Sequence, residues 1–301
     1  MAARPRWEKL LTESRNPRSR ALDTLPTDEI VRLMIDEDRR AMVAAAREIG
    51  DITRAALAAA DTLGAGGRIV FLGAGTSGRL AILEAAECPP TFGSDPDRIV
   101  GVMAGGEAAV FRAVEGAEDR EDHGRREGRR LRRRDLLVGI SASSVTPFVR
   151  GALAAARAKG ARTVLVTCAP APGLRRLADV VVAVATGPEV LTGSTRLKAG
   201  SATKAVLNAI TTAAMVRQGK AYENLMVDLK QTNAKLKDRA RRIVAAAAGV
   251  SRGEADRLLV AAGEEVKTAI VMGRLGVDAK AARRRVAKAG GHVRPALGES
   301  Q

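Results

Sequence analysis

Three glycines and two hydroxyl residues stand between an apolar run and a helical pattern, in the order Gly73-Ala74-Gly75-Thr76-Ser77-Gly78-Arg79. Glycine lets backbone N–H groups approach a phosphate, Thr76 and Ser77 carry hydroxyl donors, and the following helix start favours negative charge. The glycines also match the G-x-G-x-x-G spacing of dinucleotide sites, but no acidic residue closes the next predicted strand at Ile99–Met103. The pattern therefore predicts an anion site and gives little support to NAD.

A second group of hydroxyl residues follows the third apolar run, in the order Ser141-Ala142-Ser143-Ser144-Val145-Thr146-Pro147. Hydroxyls without a buried cation suit a dianionic phosphate on a small molecule. Serine and threonine are also ordinary N-cap residues, and Pro147 fits a first helical turn. The loop alone leaves both interpretations open, and its pairing with the first loop favours the ligand site.

Two pairs of glutamates lie near the same predicted sheet edge, Glu84 with Glu87 and Glu115 with Glu118. Surface carboxylates are the simpler interpretation of each. Glu87 differs because it ends an apolar helix beside Cys88-Pro89-Pro90, where desolvation would raise its pKa toward acid–base use. The pattern does not rank Glu115, Glu118 and the aspartate that follows them.

The spacing between the first loop and Glu87 bears on assembly. Glu87 comes nine residues after Gly78, which on a straight helix is roughly 13 Å. A hexose phosphate spans less than that between its C6 and C3 atoms. Either other loops hold the phosphate near Glu87, or Glu87 serves a site shared with a second subunit. We expect a homodimer with sites near the subunit interface.

Five short apolar or β-branched runs alternate with helical patterns and position these loops. They lie at residues 68–72, 99–103, 136–140, 163–167 and 180–184. Strands that alternate with helices predict an α/β fold with a doubly wound, five-stranded parallel sheet.

Helical patterns flank the predicted sheet. An N-terminal helical arm is expected within residues 1–64, its helix running from Thr27 to Leu63, before a central domain at 65–235. The tail, residues 236–301, has three short patterns broken at Gly249, Gly263 and Gly276, which predict a three-helix, UBA-like domain. This tail would cover a subunit surface or, as the alternative, bind another protein.

Composition restricts the class of protein. The 301 residues are 46% hydrophobic and 28% charged, and no apolar run reaches the roughly 18 residues of a membrane span. The amino end has no signal-peptide core. Two cysteines, without metal-site spacing, make neither a disulfide framework nor a metal site. A cytoplasmic protein without membrane contact is expected.

The net charge of +16 raises the question of nucleic-acid binding. The densest basic run, residues 125–134, follows an acidic stretch and has no interleaved aromatic side chains for base stacking. It is typical of the solvated face of one helix. We therefore expect no nucleic-acid partner, and a positive field that attracts phosphorylated small molecules.

Five blocks of the sequence resemble the signature blocks of one family. They lie at residues 12–38, 73–93, 104–119, 193–200 and 224–236, and include ECPPTFG and VEGAED. The chain resembles, over nearly its whole length, the N-acetylmuramic acid 6-phosphate etherases, which belong to the sugar-isomerase (SIS) fold group and are similar to the glucokinase regulatory protein.

The resemblance implies a lyase reaction on a sugar phosphate without a cofactor. A base removes the C2 proton of the opened sugar aldehyde, D-lactate leaves C3, and water adds to give N-acetylglucosamine 6-phosphate. Glu87 corresponds to the acid that protonates the departing oxygen and then activates water, and Glu118 to the base at C2. The implied role is the use of amino sugars from the cell wall.

Substrate contacts are implied at three loops. The corresponding residues are Thr76, Ser77, Gly78, Arg79, Ser141, Ser143, Thr146, Ser194, Thr195, Arg196 and Lys198. Arg196 and Lys198 would supply the cations that the second loop lacks. The second loop departs from the family's A-S-G-R-T-P or A-S-G-N-T-P, because Ser144 and Val145 replace the glycine and a polar residue. Serine tolerates a positive φ less well than glycine does.

Two other classes of function remain as alternatives. A non-catalytic sugar-phosphate sensor would use the same loops, bind without turnover and need a partner protein. A nucleic-acid-binding regulator would depend on the basic run and show strong salt dependence.

Overall fold

A computed structural model describes residues 10–300. Three short 3₁₀ turns between Leu11 and Thr24 precede helices α1 (Thr27–Ala46) and α2 (Ile49–Gly64). The sequence predicted one helical stretch here. The chain breaks it after Ala46, where Arg47 and Glu48 donate to carbonyls only three residues back. Neither proline nor glycine occupies the break itself, so the sequence carried no signal for it.

The central sheet has five parallel strands in the order β2-β1-β3-β4-β5. They are β1 (Ile69–Gly73), β2 (Ile99–Met103), β3 (Leu136–Ile140), β4 (Arg162–Thr167) and β5 (Val180–Ala183). The predicted fold class is confirmed, with strand bounds shifted by at most one residue. Strand β1 lies between β2 and β3, so the strand order reverses beside it. Ligands of such sheets commonly bind where the order reverses.

Helices connect the strands and supply the core with alanine. These are α3 (Gly75–Phe92), α4 (Ala108–Phe111), α5 (Glu121–Arg129) and α6 (Pro147–Ala158). Helix α2 packs against β1, β3 and β5, and α6 packs against β1, β3 and β4. Phe148 and Leu153 of α6 are buried with Leu72 and Leu137 of the sheet. Apolar area removed from water in this way stabilises the fold.

Helices α5 and α6 approach closely through glycine. A Cβ atom at Gly124 would lie 1.8 Å from the carbonyl oxygen of Phe148, and one at Gly128 would lie 2.3 Å from that of Ala152. The arginines of residues 125–134 are all exposed, and α5 ends at Arg129, so this basic run is half helix and half loop. Its arginines are solvated as predicted, although not on a single helix.

The described chain forms two compact units. The first contains the chain up to Ala86 and Asp97–Thr211, and the second contains Glu87–Pro96 and the chain from Thr212 onward. Helix α7 (Lys198–Arg217) is followed by a two-stranded hairpin that the sequence did not predict, β6 (Ala221–Tyr222) with β7 (Leu225–Met226). The three domain bounds expected from the sequence stay predictions.

The second unit ends in five helices where the sequence predicted three. They are α8 (Ala234–Ala248), α9 (Arg252–Ala261), α10 (Val266–Leu275), α11 (Ala279–Lys288) and α12 (Val293–Leu297). Gly249 and Gly276 do end helices, each with a positive φ. The pair Gly290-Gly291, both at positive φ, separates the last two helices. Within residues 10–300, no helix is both long and apolar enough to cross a membrane.

Candidate active site

The two hydroxyl loops leave the sheet side by side. Gly73 ends β1 and pairs in register with Ile140, which ends β3. Because parallel strands end at the same edge, the segments that start at Ala74 and Ser141 are neighbours. The sequence prediction that they form one site requires this arrangement.

Gly73 and Gly78 are required by close packing of the first loop. A Cβ atom at Gly73 would lie 2.7 Å from the Ser77 carbonyl carbon, and one at Gly78 would lie 2.7 Å from Gly73 O and from Met103 Cγ. Gly78 is buried. It lets the start of α3 lie against the strand end, while Thr76 and Ser77 stay partly open.

Ser144 of the second loop has a positive φ, the backbone conformation that serine tolerates less well than glycine. Its φ is 64°, and its side chain is 5% exposed. Its N–H donates to Ser141 O at 3.1 Å, which closes a tight turn. Left-handed backbone costs a residue with a Cβ more than it costs glycine. The loop therefore keeps the glycine conformation with a serine in it.

The hydroxyl groups of the second loop make different hydrogen bonds. Ser141 is buried, and its Oγ lies 2.8 Å from Thr146 Oγ1. Ser143 Oγ accepts from Val145 N at 3.5 Å. Helix α6 begins at Pro147 after Thr146, whose side chain makes no capping hydrogen bond. Thr146 is thus the N-cap residue of α6 by position, but its hydroxyl bonds to Ser141 and does not cap the helix.

A cavity of about 240 Å³ opens between these loops and the N-terminal segment. Six of the predicted site residues line it, namely Thr76, Ser77, Glu118, Ser143, Thr146 and Thr195. Five offer hydroxyls and one offers a carboxylate. No lysine or arginine is among the described residues that line this cavity.

Glu118 has an altered acidity. It lies in a 3₁₀ turn, Ala117–Asp119, that follows Gly116 at φ 70°. Although much of its side chain is exposed, desolvation raises the pKa of Glu118 above its ordinary value, and the charges of Asp119 and Glu115 raise it further. A carboxylate of raised pKa is a stronger base than a solvated one.

Lys198 was predicted to bind substrate, but its ammonium group is already paired. Lys198 is 3% exposed, and its Nζ donates to Glu37 Oε2 at 2.5 Å. The first N–H groups of α7 are also hydrogen-bonded, because buried Glu189 accepts from those of Lys198 and Ala199. Of its loop neighbours, Arg196 is exposed, Ser194 is half-buried, and neither lines the cavity.

Arg79 lies next to the cavity rather than in it. Its guanidinium donates to the carbonyls of Ala109 and Val110 at 2.9 and 2.8 Å. It lines a neighbouring space of about 190 Å³ together with Glu115 and Glu118. Arg79 thus anchors α4. It lines the space next to the cavity that the hydroxyl residues line.

Glu87 is exposed in the single chain, whereas its neighbour Cys88 is buried. The desolvation expected for Glu87 from the sequence is therefore wrong for the single chain. Glu87 belongs to the second compact unit and the hydroxyl loops belong to the first.

Sequence reasoning missed the N-terminal wall of the cavity. This wall is formed by Leu10, Thr12 and Glu13. Asp119 and Gly193, which lie in segments that the sequence did single out, also line the cavity. A Cβ atom at Gly193 would lie 3.2 Å from Glu13 Oε2, so the Glu13 carboxylate lies directly beside Gly193. The block at residues 12–38 was a signal that this segment matters, but it gave no role to Thr12 or Glu13.

Part of the chain is similar to a known domain family. The model of the glucokinase regulatory protein N-terminal SIS domain matches residues 49–157, which include both hydroxyl loops and Glu118. A solved Escherichia coli CFT073 protein, in complex with A5P, is 16% identical, with a TM-score of 0.47 over 66% of this chain and 97% of its own.

Curated relatives match almost end to end. Proteins named N-acetylmuramic acid 6-phosphate etherase from Salmonella choleraesuis (strain SC-B67) and Salmonella typhimurium (strain LT2) are both 49% identical over 290 residues. The match covers 96% of this chain and 98% of theirs.

The parallel sheet, its paired loops and the matched domain define an α/β protein of the SIS class. Within that class, the chain belongs to the N-acetylmuramic acid 6-phosphate etherase family. It is accordingly an enzyme of the etherase kind.

Proposed function

We propose that the protein cleaves the D-lactyl ether of N-acetylmuramic acid 6-phosphate, giving N-acetylglucosamine 6-phosphate and D-lactate as a carbon–oxygen lyase. The observation that carries the proposal is Glu118, a carboxylate of raised pKa at a cavity lined by six hydroxyl residues, in a chain related to etherases over 96% of its length. Cytoplasmic amino-sugar use in cell-wall recycling is the proposed setting, and no cofactor is required.

The first step is removal of the C2 proton by the Glu118 carboxylate once the sugar ring has opened. The raised pKa strengthens Glu118 as a base, and the aldehyde at C1 acidifies the C–H bond. The C–H electron pair becomes the C2–C3 double bond as the C3–O bond breaks. Glu87 gives a proton to the departing lactate oxygen, because an alkoxide is a poor leaving group.

Hydration completes the reaction. Glu87, now ionised, takes a proton from water as the water oxygen adds to C3, and the proton held by Glu118 returns to C2. Both carboxyl groups regain their starting states, and one water is consumed for each lactate released. The general acid–base cycle is therefore closed without an external oxidant or reductant.

Phosphate binding is assigned to the hydroxyl loops. Thr76, Ser77, Ser143, Thr146 and Thr195 line one cavity, and the starts of α3 and α6 direct N–H groups toward it. Gly78 and Ser141 act beneath this surface through packing and the bond to Thr146. Arg79, Ser194, Arg196 and Lys198 stay predicted contacts, with Lys198 held away by Glu37.

We also propose a homodimer in which Glu87 of one subunit serves the cavity of the other. The exposure of Glu87 in the isolated chain supports this, since a second subunit would supply the missing burial. The proposed partners are thus a sugar phosphate and a second copy, without nucleic acid or membrane.

The test is D-lactate release from N-acetylmuramic acid 6-phosphate by the purified protein. Wild type should release D-lactate and the Glu87→Gln and Glu118→Gln variants should not. A folded wild type that binds the substrate without releasing lactate would favour the sensor, the alternative supported by the match to the glucokinase regulatory protein domain.

A further inference from the structure

Glu37 is a buried carboxylate on α1 that the proposed chemistry does not use. It is 3% exposed. Asn16 Nδ2 donates to it at 2.9 Å, Arg18 Nη1 at 2.8 Å and Lys198 Nζ at 2.5 Å. One carboxylate therefore joins three residues, two from the N-terminal segment and one from the start of α7.

The same two parts of the chain are joined again beside Glu37. Asn16 Nδ2 also donates to Pro188 O at 3.1 Å, and Ser19 Oγ donates to Val190 O at 2.7 Å. The segment at 16–19 thus lies against the segment at 188–190. Because donors to a charged acceptor make the stronger hydrogen bonds, Glu37 is the main connection in this group.

Both joined segments continue directly into the cavity wall. Asn16 lies three residues after Glu13, and Lys198 lies three residues after Thr195. Glu13 and Gly193 lie side by side where the two segments meet at the cavity. A shift at Glu37 would therefore move Glu13 and Thr195 relative to each other.

The charge on Glu37 is held in place by its partners. Burial alone would raise the pKa of Glu37, but the hydrogen bond and charge of Lys198, with Asn16 and Arg18, bring it below the ordinary value. The carboxylate is thus ionised at neutral pH. Removing it would leave the Lys198 ammonium group buried without its counter-charge.

We propose that Glu37 is a positioning residue of the candidate active site, which fixes the Thr12–Glu13 wall against the Gly193–Thr195 wall through Asn16, Arg18 and Lys198. Glu37 does not itself line the cavity. The kinetic part of its test rests on the proposed function. The structural part does not.

The kinetic test compares Glu37→Gln with Glu37→Asp. Glutamine keeps the size and loses the charge, and we expect KM for N-acetylmuramic acid 6-phosphate to rise about tenfold with kcat changed less than about threefold, because misplaced walls weaken binding. Aspartate keeps the charge and should restore part of the lost affinity. Arg18→Met, at a half-exposed partner, should fold normally and give a smaller KM increase.

Asp135→Asn is the matched control. Asp135 is equally buried and accepts from Arg68 and Arg132, at the opposite ends of the strands from the cavity. This change should lower the melting temperature and leave KM unaltered. The proposal would be overturned if Glu37→Gln or Arg18→Met behaved like this control. In that case the melting temperature would fall while KM and kcat both stayed unaltered.

Hydrogen–deuterium exchange gives a readout that needs no turnover. In Glu37→Gln, and more weakly in Arg18→Met, amides of residues 10–20 and 188–197 should exchange faster, whereas those of β3 should not. If wild type releases no lactate but this pattern is found, the etherase proposal fails and the positioning role stands. Unchanged exchange in both segments in both variants overturns the positioning role.

Discussion

The hydroxyl oxygens of Ser141 and Thr146 lie 2.8 Å apart, across the turn that holds Ser144 at φ 64°. Ser141 is buried at the end of β3, whereas Thr146 lines the cavity. The pair thus links the sheet to a side chain that lines the cavity. The strength of this link can be measured directly.

A double-mutant cycle of Ser141→Ala and Thr146→Val should give a coupling energy of about 1 kcal/mol in the free energy of unfolding. Ser141→Ala should also raise KM, although Ser141 does not line the cavity, because Thr146 loses its orientation. Thr163→Val removes a buried hydroxyl bond to Asp179 at the amino end of β4 and serves as control. It should reduce stability only. Additive single effects would show that the pair is not coupled.

Ser144→Gly should stabilise the protein by about 1 kcal/mol, because glycine adopts a positive φ without the cost that a Cβ incurs. Urea-induced unfolding measures the change, and Ser144→Ala, which keeps a Cβ, should show no gain. A Ser144→Gly protein less stable than wild type would mean that the buried hydroxyl contributes more than the backbone costs.

The pH profile of kcat/KM should report Glu118. As a base Glu118 must be ionised, so the acidic limb should lie above the ordinary glutamate pKa, and Glu118→Gln should reduce turnover by about 10² to 10⁴-fold. Glu115→Gln removes a charge that raises the pKa of Glu118 and should move the limb to lower pH. A limb that Glu115→Gln leaves in place would assign the titration to another group.

Glu118 should also affect stability, with a definite sign. The folded state binds the Glu118 proton more tightly than the unfolded chain does. The contribution of protonated Glu118 to the free energy of unfolding is therefore present at low pH and is lost as pH rises through the folded pKa. Glu118→Gln should therefore unfold at a slightly higher temperature than wild type at neutral pH. The difference should vanish in acid, as melting curves across the range would show.

Mixed dimers test whether the site is shared. In a composite site, a Glu87→Gln subunit paired with a Glu118→Gln subunit rebuilds one intact site, so an equal mixture after subunit exchange should recover about a quarter of wild-type activity. Each variant alone should stay inactive. No recovery from mixtures shown to contain mixed dimers would place both carboxylates of each site in one subunit.

The strands and the two loops could be predicted because the signal is local. Strand bounds such as Ile99–Met103 follow from short apolar runs, and the loops from glycine and hydroxyl residues at strand ends. The positive φ of Ser144 followed from the family pattern, in which glycine occupies that position. Strand order then brings the two loops together.

Long-range pairing could not be predicted from the same signals. Nothing near Lys198 in the sequence indicates that its ammonium group contacts Glu37, and the family resemblance assigns Lys198 to the substrate instead. Glu13 reaches the cavity through turns that carry no periodic pattern. The break between α1 and α2 was not predicted either, because Arg47 and Glu48, which occupy it, both have good helix propensity.

Glu37 and Lys198 are 161 positions apart in the chain. Closing so long a loop costs conformational entropy, which is offset only once the contact has formed. Such contacts therefore form late in folding. On a ribosome, β1 to β5 will have emerged before Lys198 does, so the sheet can assemble while the cavity still lacks one wall. The nascent enzyme is therefore expected to form its sheet first and to complete the cavity wall at Gly193 and Thr195 last.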